Sequence, residues 1–318
     1  MRLSTRFLAL LACAALLLAC AAAEEAPSGA DLDAFRAGFL LAPGETLIDP
    51  SYPIPDYVLW LLEVERNELG YTEERSGVTK YGTWAGYPTA EWCAEFQCWS
   101  VHQVDRQHGT RLLAQVYPNY SGTNVGRDWF LSSGRYISRT GMVPGWGTQW
   151  WKDSFQPIEK NSYIPQPGDW MFLTDNASGD TSHVALVEYC TRNADGDVRV
   201  HVIEGNNVTK PAPQAVERNA YPLDYWRILG YGTVRDLADV TLKFGHSGPK
   251  VTELQWELVQ AGLLEERYTT GKYGAITTDC IRAVQRQAGI AQNGIANLET
   301  RLALRALAAQ KARESAGE

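Results

Sequence analysis

Positive charge is short in this 318-residue sequence: 29 Lys and Arg stand against 37 Asp and Glu, a net charge of −8. Such a balance gives no basic surface to follow a phosphate backbone, so nucleic acid is not an expected partner. Long apolar runs are also missing. The one candidate, Phe7 to Ala19 behind Arg2 and Arg6, is too short for a comfortable membrane span but has the form of a signal-peptide core. Cysteine and histidine are sparse, with 6 and 5 residues. No cysteines are spaced as a CxxC pair: Cys93 and Cys98 lie five apart, roughly 140° around a helix, which excludes a metal or redox couple of that kind. The acidic run Asn193–Asp197 lacks the ligand pattern of an EF-hand loop and is read as a hairpin turn around Gly196. No metal or cofactor is expected.

Residues 1–23 therefore read as an export signal, which makes the working protein secreted or associated with the cell envelope. Two processing routes remain open. Ala21–Ala23 before Glu24 suits an ordinary signal peptidase, whereas Leu17–Cys20 resembles a bacterial lipobox that would leave a lipidated Cys20 as the means of membrane attachment. Beyond the signal four cysteines remain, Cys93, Cys98, Cys190 and Cys280. In an oxidising compartment a disulfide between Cys98 and Cys190 is one open pairing.

What the chain does have is two patterned stretches. Residues 24–54, rich in Ala, Pro, Gly and acidic residues, read as a linker. From Asp56, Val58, Leu61, Leu62, Val64 and Leu69 follow a helical stripe that stops at Gly70. A second helix is expected over about 89–107, with Cys93, Phe96, Gln97 and Ser100 on one face. The span 117–167 is a long connection with a short helix near Val125–Arg135 and with Trp129, Trp146, Trp150 and Trp151, equally readable as ligand contacts or as packing. Then the period becomes two: strands are expected at 169–173, 183–189, 198–204 and 228–234. Helices followed by an antiparallel sheet make an α+β domain. After Leu237 three short helical stripes describe a small bundle.

Cys93, behind Trp92 at the start of a helix, sits where the helix dipole favours a thiolate. A nucleophilic thiol needs a histidine to take and return its proton and a group to orient that histidine. Among the five histidines, His183 opens a strand beside a polar turn, and Glu204 and Asn206 end the next strand. The intervening hairpin pairs the two strands antiparallel, so the start of one lies beside the end of the other.

The blocks Val78–Gly86, Trp92–Phe96, Pro167–Phe172, Ser182–Glu188, Ile203–Asn206 and Ile228–Gly232 resemble, in order, those of a CHAP domain. Members of that family are papain-like cysteine, histidine-dependent amidohydrolases and peptidases. The resemblance implies Cys93 as nucleophile, His183 as base and acid, Glu204 as the orienting group and Asn206 as an assisting amide. Leu242–Gln255, Tyr273–Thr277, Cys280–Gln285 and Asn293–Thr300 resemble a three-helix peptidoglycan-binding module. Together they imply a monomeric cell-wall hydrolase with a CHAP domain at 55–236 and a binding domain at 240–310, acting on an amide bond of peptidoglycan. The alternative is a catalytically silent wall-binding or adhesin-like surface protein. Muramoyl-alanine amidase and stem or cross-bridge endopeptidase both fit.

Overall fold

The computed structural model describes residues 36, 38–74, 77–207, 209–210 and 212–317. The signal segment and Cys20 lie outside the described residues. The centre of the fold is an antiparallel sheet in the spatial order β2 (Tyr136–Ser138), β9 (Ile228–Gly232), β5 (Trp170–Leu173), β6 (His183–Arg192), β7 (Val198–Gly205) and β8 (Val216–Pro222). A short strand β1 (Thr46–Ile48) pairs with the far end of β6. The expected linker thus already belongs to the sheet by Thr46.

Both faces of the sheet are covered, and the alternation of side chains along β5 and β6 shows how. Trp170, Phe172, Val184 and Leu186 pack on one side with helix α1 (Asp56–Asn67) and helix α3 (Cys93–His108). Met171, Leu173, Ala185 and Val187 face the other way, against Ile137, Ile158 and Tyr163 from the long connection. Helix α2 (Lys80–Ala85) precedes α3, with Thr79 capping it through a bond from the Gly82 N–H. The turn between β6 and β7 forms as expected: the Asn193 side chain accepts the N–H groups of Asp195 and Asp197, and Gly196 takes a φ of 92°.

The connection at 117–167 is more structured than expected. It holds helix α4 (Thr123–Ser132), β2, β3 (Met142–Val143) and β4 (Gly147–Trp151). Trp150 is fully buried and Trp146 packs at a tilt against His246, so both serve as packing. Strand β10 (Ala238–Val240) pairs with β4 and leads directly into the tail helices α5 (Pro249–Gln260), α6 (Ala275–Gln287) and α7 (Leu298–Ala316). One hydrophobic cluster runs from Trp170 and Phe130 to Val251, Leu254 and Leu304. The tail bundle is therefore packed on the sheet domain rather than strung from it.

Asp169, just before β5, is fully buried and accepts bonds from the Tyr163 hydroxyl (2.7 Å) and the Gln166 N–H (2.9 Å). Burial pushes its carboxyl up to about 7, only partly offset by these bonds. Between an unfolded value of about 4 and that value, the unfolded chain sheds a proton the folded one keeps, so this group costs stability as pH rises and nothing further above it. Asp169→Asn should remove that slope. Urea midpoints of variant and wild type are expected to diverge in favour of the variant from pH 4 to 7, and a constant difference would count against this assignment.

Candidate active site

Helix α3 begins at Cys93, four residues later than the expected start at 89. That shift matters, because it puts the thiol in the first helical position, where backbone N–H groups have no partner within the helix. The first intrahelical bond is donated by the Phe96 N–H to the Trp92 carbonyl (2.9 Å). Trp92 fixes this helix end. Its ring is buried, stacks on Tyr81 and donates from Nε1 to Glu73 (3.1 Å). On its other side lies Gly205, at the end of β7, where a Cβ would stand 2.3 Å from Trp92 Cζ3. Only glycine lets the strand end come that close, and this approach carries Glu204 toward the helix that begins at Cys93.

The sheet supplies the remaining groups. His183 opens β6 and Glu204 lies near the end of β7, with Leu186 registered against Ile203. The antiparallel pairing therefore brings the two side chains together: His183 Nε2 and Glu204 Oε2 are 3.0 Å apart. Cys93 lies near enough to the His183 ring to favour its charged form. With Nε2 engaged by the carboxylate, Nδ1 is the ring nitrogen left for sulfur. All three side chains are buried. Burial works against charge on the His183 ring, but the nearby Cys93 side chain, the bond to Glu204 and the carboxylate's charge outweigh it, and its value rises to about 10. For Glu204 burial pushes upward, yet the bonds from His183, Asn207 and Tyr221 leave the carboxyl below its ordinary value.

Three donors meet the second carboxylate oxygen, and none was among the sequence candidates. Asn207 Nδ2 (2.7 Å), Tyr221 Oη (2.9 Å) and Asn219 Nδ2 all point to Glu204 Oε1. Asn206, expected to assist, takes a left-handed backbone at φ 60° and donates to Glu91 Oε2 instead. The amide on Glu204 is that of the next residue. A signal for Asn207 existed in the doubled asparagine; β8, which bears Asn219 and Tyr221, has half-buried residues at most positions and no alternation to betray it.

The other cysteines stand apart. Cys98 is buried, and its thiol donates to the Pro118 and Tyr120 carbonyls (both 3.4 Å), with burial pushing it up to about 12. Cys190 donates to the Pro165 carbonyl across the sheet from Cys98 and is likewise free, so the open Cys98–Cys190 pairing is not made. Among the described residues no group of three or more His, Cys, Asp or Glu could hold a metal, and no helix is long and apolar enough to cross a membrane.

A helix-terminal thiol, an imidazole and an anchored carboxylate, set on helices over an antiparallel sheet, form the layout that thiol–imidazole chemistry requires. The CHAP domain model matches residues 82–206, and that of a peptidoglycan binding domain matches residues 247–304. The chain thus carries a CHAP domain followed by a peptidoglycan-binding domain. Over 75 residues it is 40% identical to the N-acetylmuramoyl-L-alanine amidase CwlL of Bacillus licheniformis, a stretch covering 23% of this chain and 21% of that protein. The chain therefore matches only about a fifth of that relative's length. A periplasmic domain of the EpsAB fusion protein of the Vibrio vulnificus type II secretion system matches at 17% identity over 43% of this chain and 56% of that one, with a TM-score of 0.20, too low to bear on the fold.

Proposed function

We propose that this protein is a peptidoglycan hydrolase that cleaves an amide bond through Cys93, His183 and Glu204. The observation that carries this reading is the convergence of those three side chains in a chain that also bears a peptidoglycan-binding domain. His183 takes the Cys93 proton, and the sulfur attacks the amide carbon to form a tetrahedral intermediate. The N–H groups that precede the Phe96–Trp92 bond at the start of α3 have no helical partners, and that of Cys93 stabilises the oxyanion. His183 then returns the proton to the leaving nitrogen as the C–N bond breaks. Water, deprotonated by the same ring, releases the acyl group and restores the thiol. Glu204 holds the ring in the tautomer and orientation each step needs.

The scissile bond is either muramoyl–L-alanine or an amide within the stem or cross-bridge, and the similarity to an amidase favours the first. Such a substrate puts the protein outside the cytoplasm, free or held by a lipidated Cys20. Isolated cell walls incubated with the full-length protein should release new amino groups, and mass spectrometry of defined muropeptides should show stem peptides separated from glycan. Walls that are bound without any release of amino groups between pH 5 and 9 would sink the reading and leave a binding protein.

A further inference from the structure

We infer that Asn207, Asn219 and Tyr221 form a donor cage that keeps Glu204 an anion, and that Asn219 and Tyr221 on the edge strand β8 are positioning residues for the Cys93–His183 pair. The inference rests on the catalytic reading of those two residues and goes beyond it by assigning work to a strand with no member in the triad.

The geometry is specific. Glu204 is fully buried, and its two oxygens are divided: Oε2 faces His183, while Oε1 takes all three donors. Asn219 and Tyr221 are two apart on β8, so they share one face of the strand, opposite Val202 and Val200 of β7. Each amide is itself oriented. Thr209 donates from its N–H (3.1 Å) and hydroxyl (2.6 Å) to Asn207 Oδ1, and Lys210 Nζ donates to Asn219 Oδ1 (2.9 Å). With the oxygens occupied, both NH2 groups must turn to the carboxylate. The Tyr221 ring is held by stacking on Tyr225. Charged and titratable groups around the cage are His183 from β6, Cys93 from α3 through that ring, Tyr221 and Glu217 from β8, and Lys210, which pairs with Glu217. No donor in the cage is a cation, so the carboxylate is stabilised without drawing its charge away from the imidazolium. Hydrogen bonds to a buried carboxylate are among the stronger ones, so each donor lost weakens the hold on the negative charge, with no water to replace it.

The sign follows directly. With a donor removed, Glu204 takes a proton at higher pH, the imidazolium loses its partner, and Cys93 loses the base beside it. The test is the rate at which iodoacetamide alkylates Cys93 in the full-length protein from pH 4 to 9, followed by peptide mass spectrometry so that Cys98, Cys190 and Cys280 are scored separately. In Tyr221→Phe and in Asn219→Leu the acid limb is expected to move up by about one unit, a loss of about threefold or more at pH 4 with little change at pH 8. Tyr221→Phe removes a single oxygen and keeps the stacked ring, so it decides the matter if Asn219→Leu does not fold. Profiles that superimpose on wild type, with thermal stability unchanged, would overturn the cage. A wild-type protein in which Cys93 is no more reactive than Cys280 would instead overturn the catalytic reading on which it stands.

Discussion

Cys93→Ala is expected to lower wall hydrolysis by on the order of 10⁴-fold or more, the scale of removing a nucleophile from a triad. Binding to walls should be unchanged, because the tail bundle is not touched. Cys98→Ala is the matched control. Its thiol is equally buried but faces the Pro118 and Tyr120 carbonyls, so its loss should cost about 1–2 kcal/mol of stability and leave kcat within about threefold. Zymography, amine release and thermal melts on both variants separate the two effects. Activity that survives in Cys93→Ala and disappears in Cys98→Ala would reverse the assignment. The contrast is informative because the two thiols lie on the same helix, and composition treats them alike.

Lys250→Met is expected to destabilise the whole protein, not the tail alone. Lys250 is 2% exposed, and its ammonium meets Asp236 (2.9 Å), Asp239 (3.1 Å) and Glu253 (2.9 Å). Burial disfavours its charge, but the three carboxylates more than compensate and raise it above the ordinary lysine value. Asp236 also takes Lys152 from the turn after β4, and Arg301 from α7 reaches Glu257 (2.9 Å) and Asp239 (4.0 Å). The lysine is thus the centre of an ion cluster that joins the sheet domain, the connecting strand β10 and two tail helices. Glycines mark how tight the joint is: a Cβ at Gly134 would lie 2.1 Å from Lys250 Cε. Removing the cation leaves Asp239, itself 2% exposed, without its nearest counter-charge. Breaking a buried pair from one side costs roughly 3 kcal/mol or more, which for a protein of this size corresponds to a fall in Tm of roughly 5 °C or more. Calorimetry should show that fall, and limited proteolysis should show new cleavage between the sheet domain and α5. A Tm within about 2 °C of wild type would mean that the cluster contributes little.

The joint changes how the tail is to be understood. A module on a flexible tether raises local concentration and leaves the orientation of the active site free. Here the shared hydrophobic cluster, the β4–β10 pairing and the tilted ring contact of Trp146 with His246 fix the bundle against the sheet domain. A ligand held by the tail would therefore have a restricted orientation relative to Cys93.

Much of this was legible in the residues. The helical stripe from Val58 to Leu69, the alternation along β5, β6 and β7 and the Asn193–Asp197 turn each state their structure locally, because side-chain period and turn chemistry are properties of neighbouring residues. Antiparallel pairing across one short turn was enough to bring His183 to Glu204. Strands β1, β2, β8 and β10 were not legible. They are short or edge strands without a clean alternation, and what makes them strands is the open hydrogen-bonding edge beside them.

By itself, then, the amino-acid sequence determined the α+β character and the two-domain order, and it singled out Cys93, His183 and Glu204 as candidates. Tertiary structure alone decided that α3 starts at Cys93, that Asn206 turns to Glu91 while Asn207 serves Glu204, that β8 closes the cage, and that the tail is locked to the sheet domain. The physical reason is range. Helices, turns and hairpins are set by contacts a few residues apart, whereas the environment of a buried carboxylate is set by whichever distant segments pack around it.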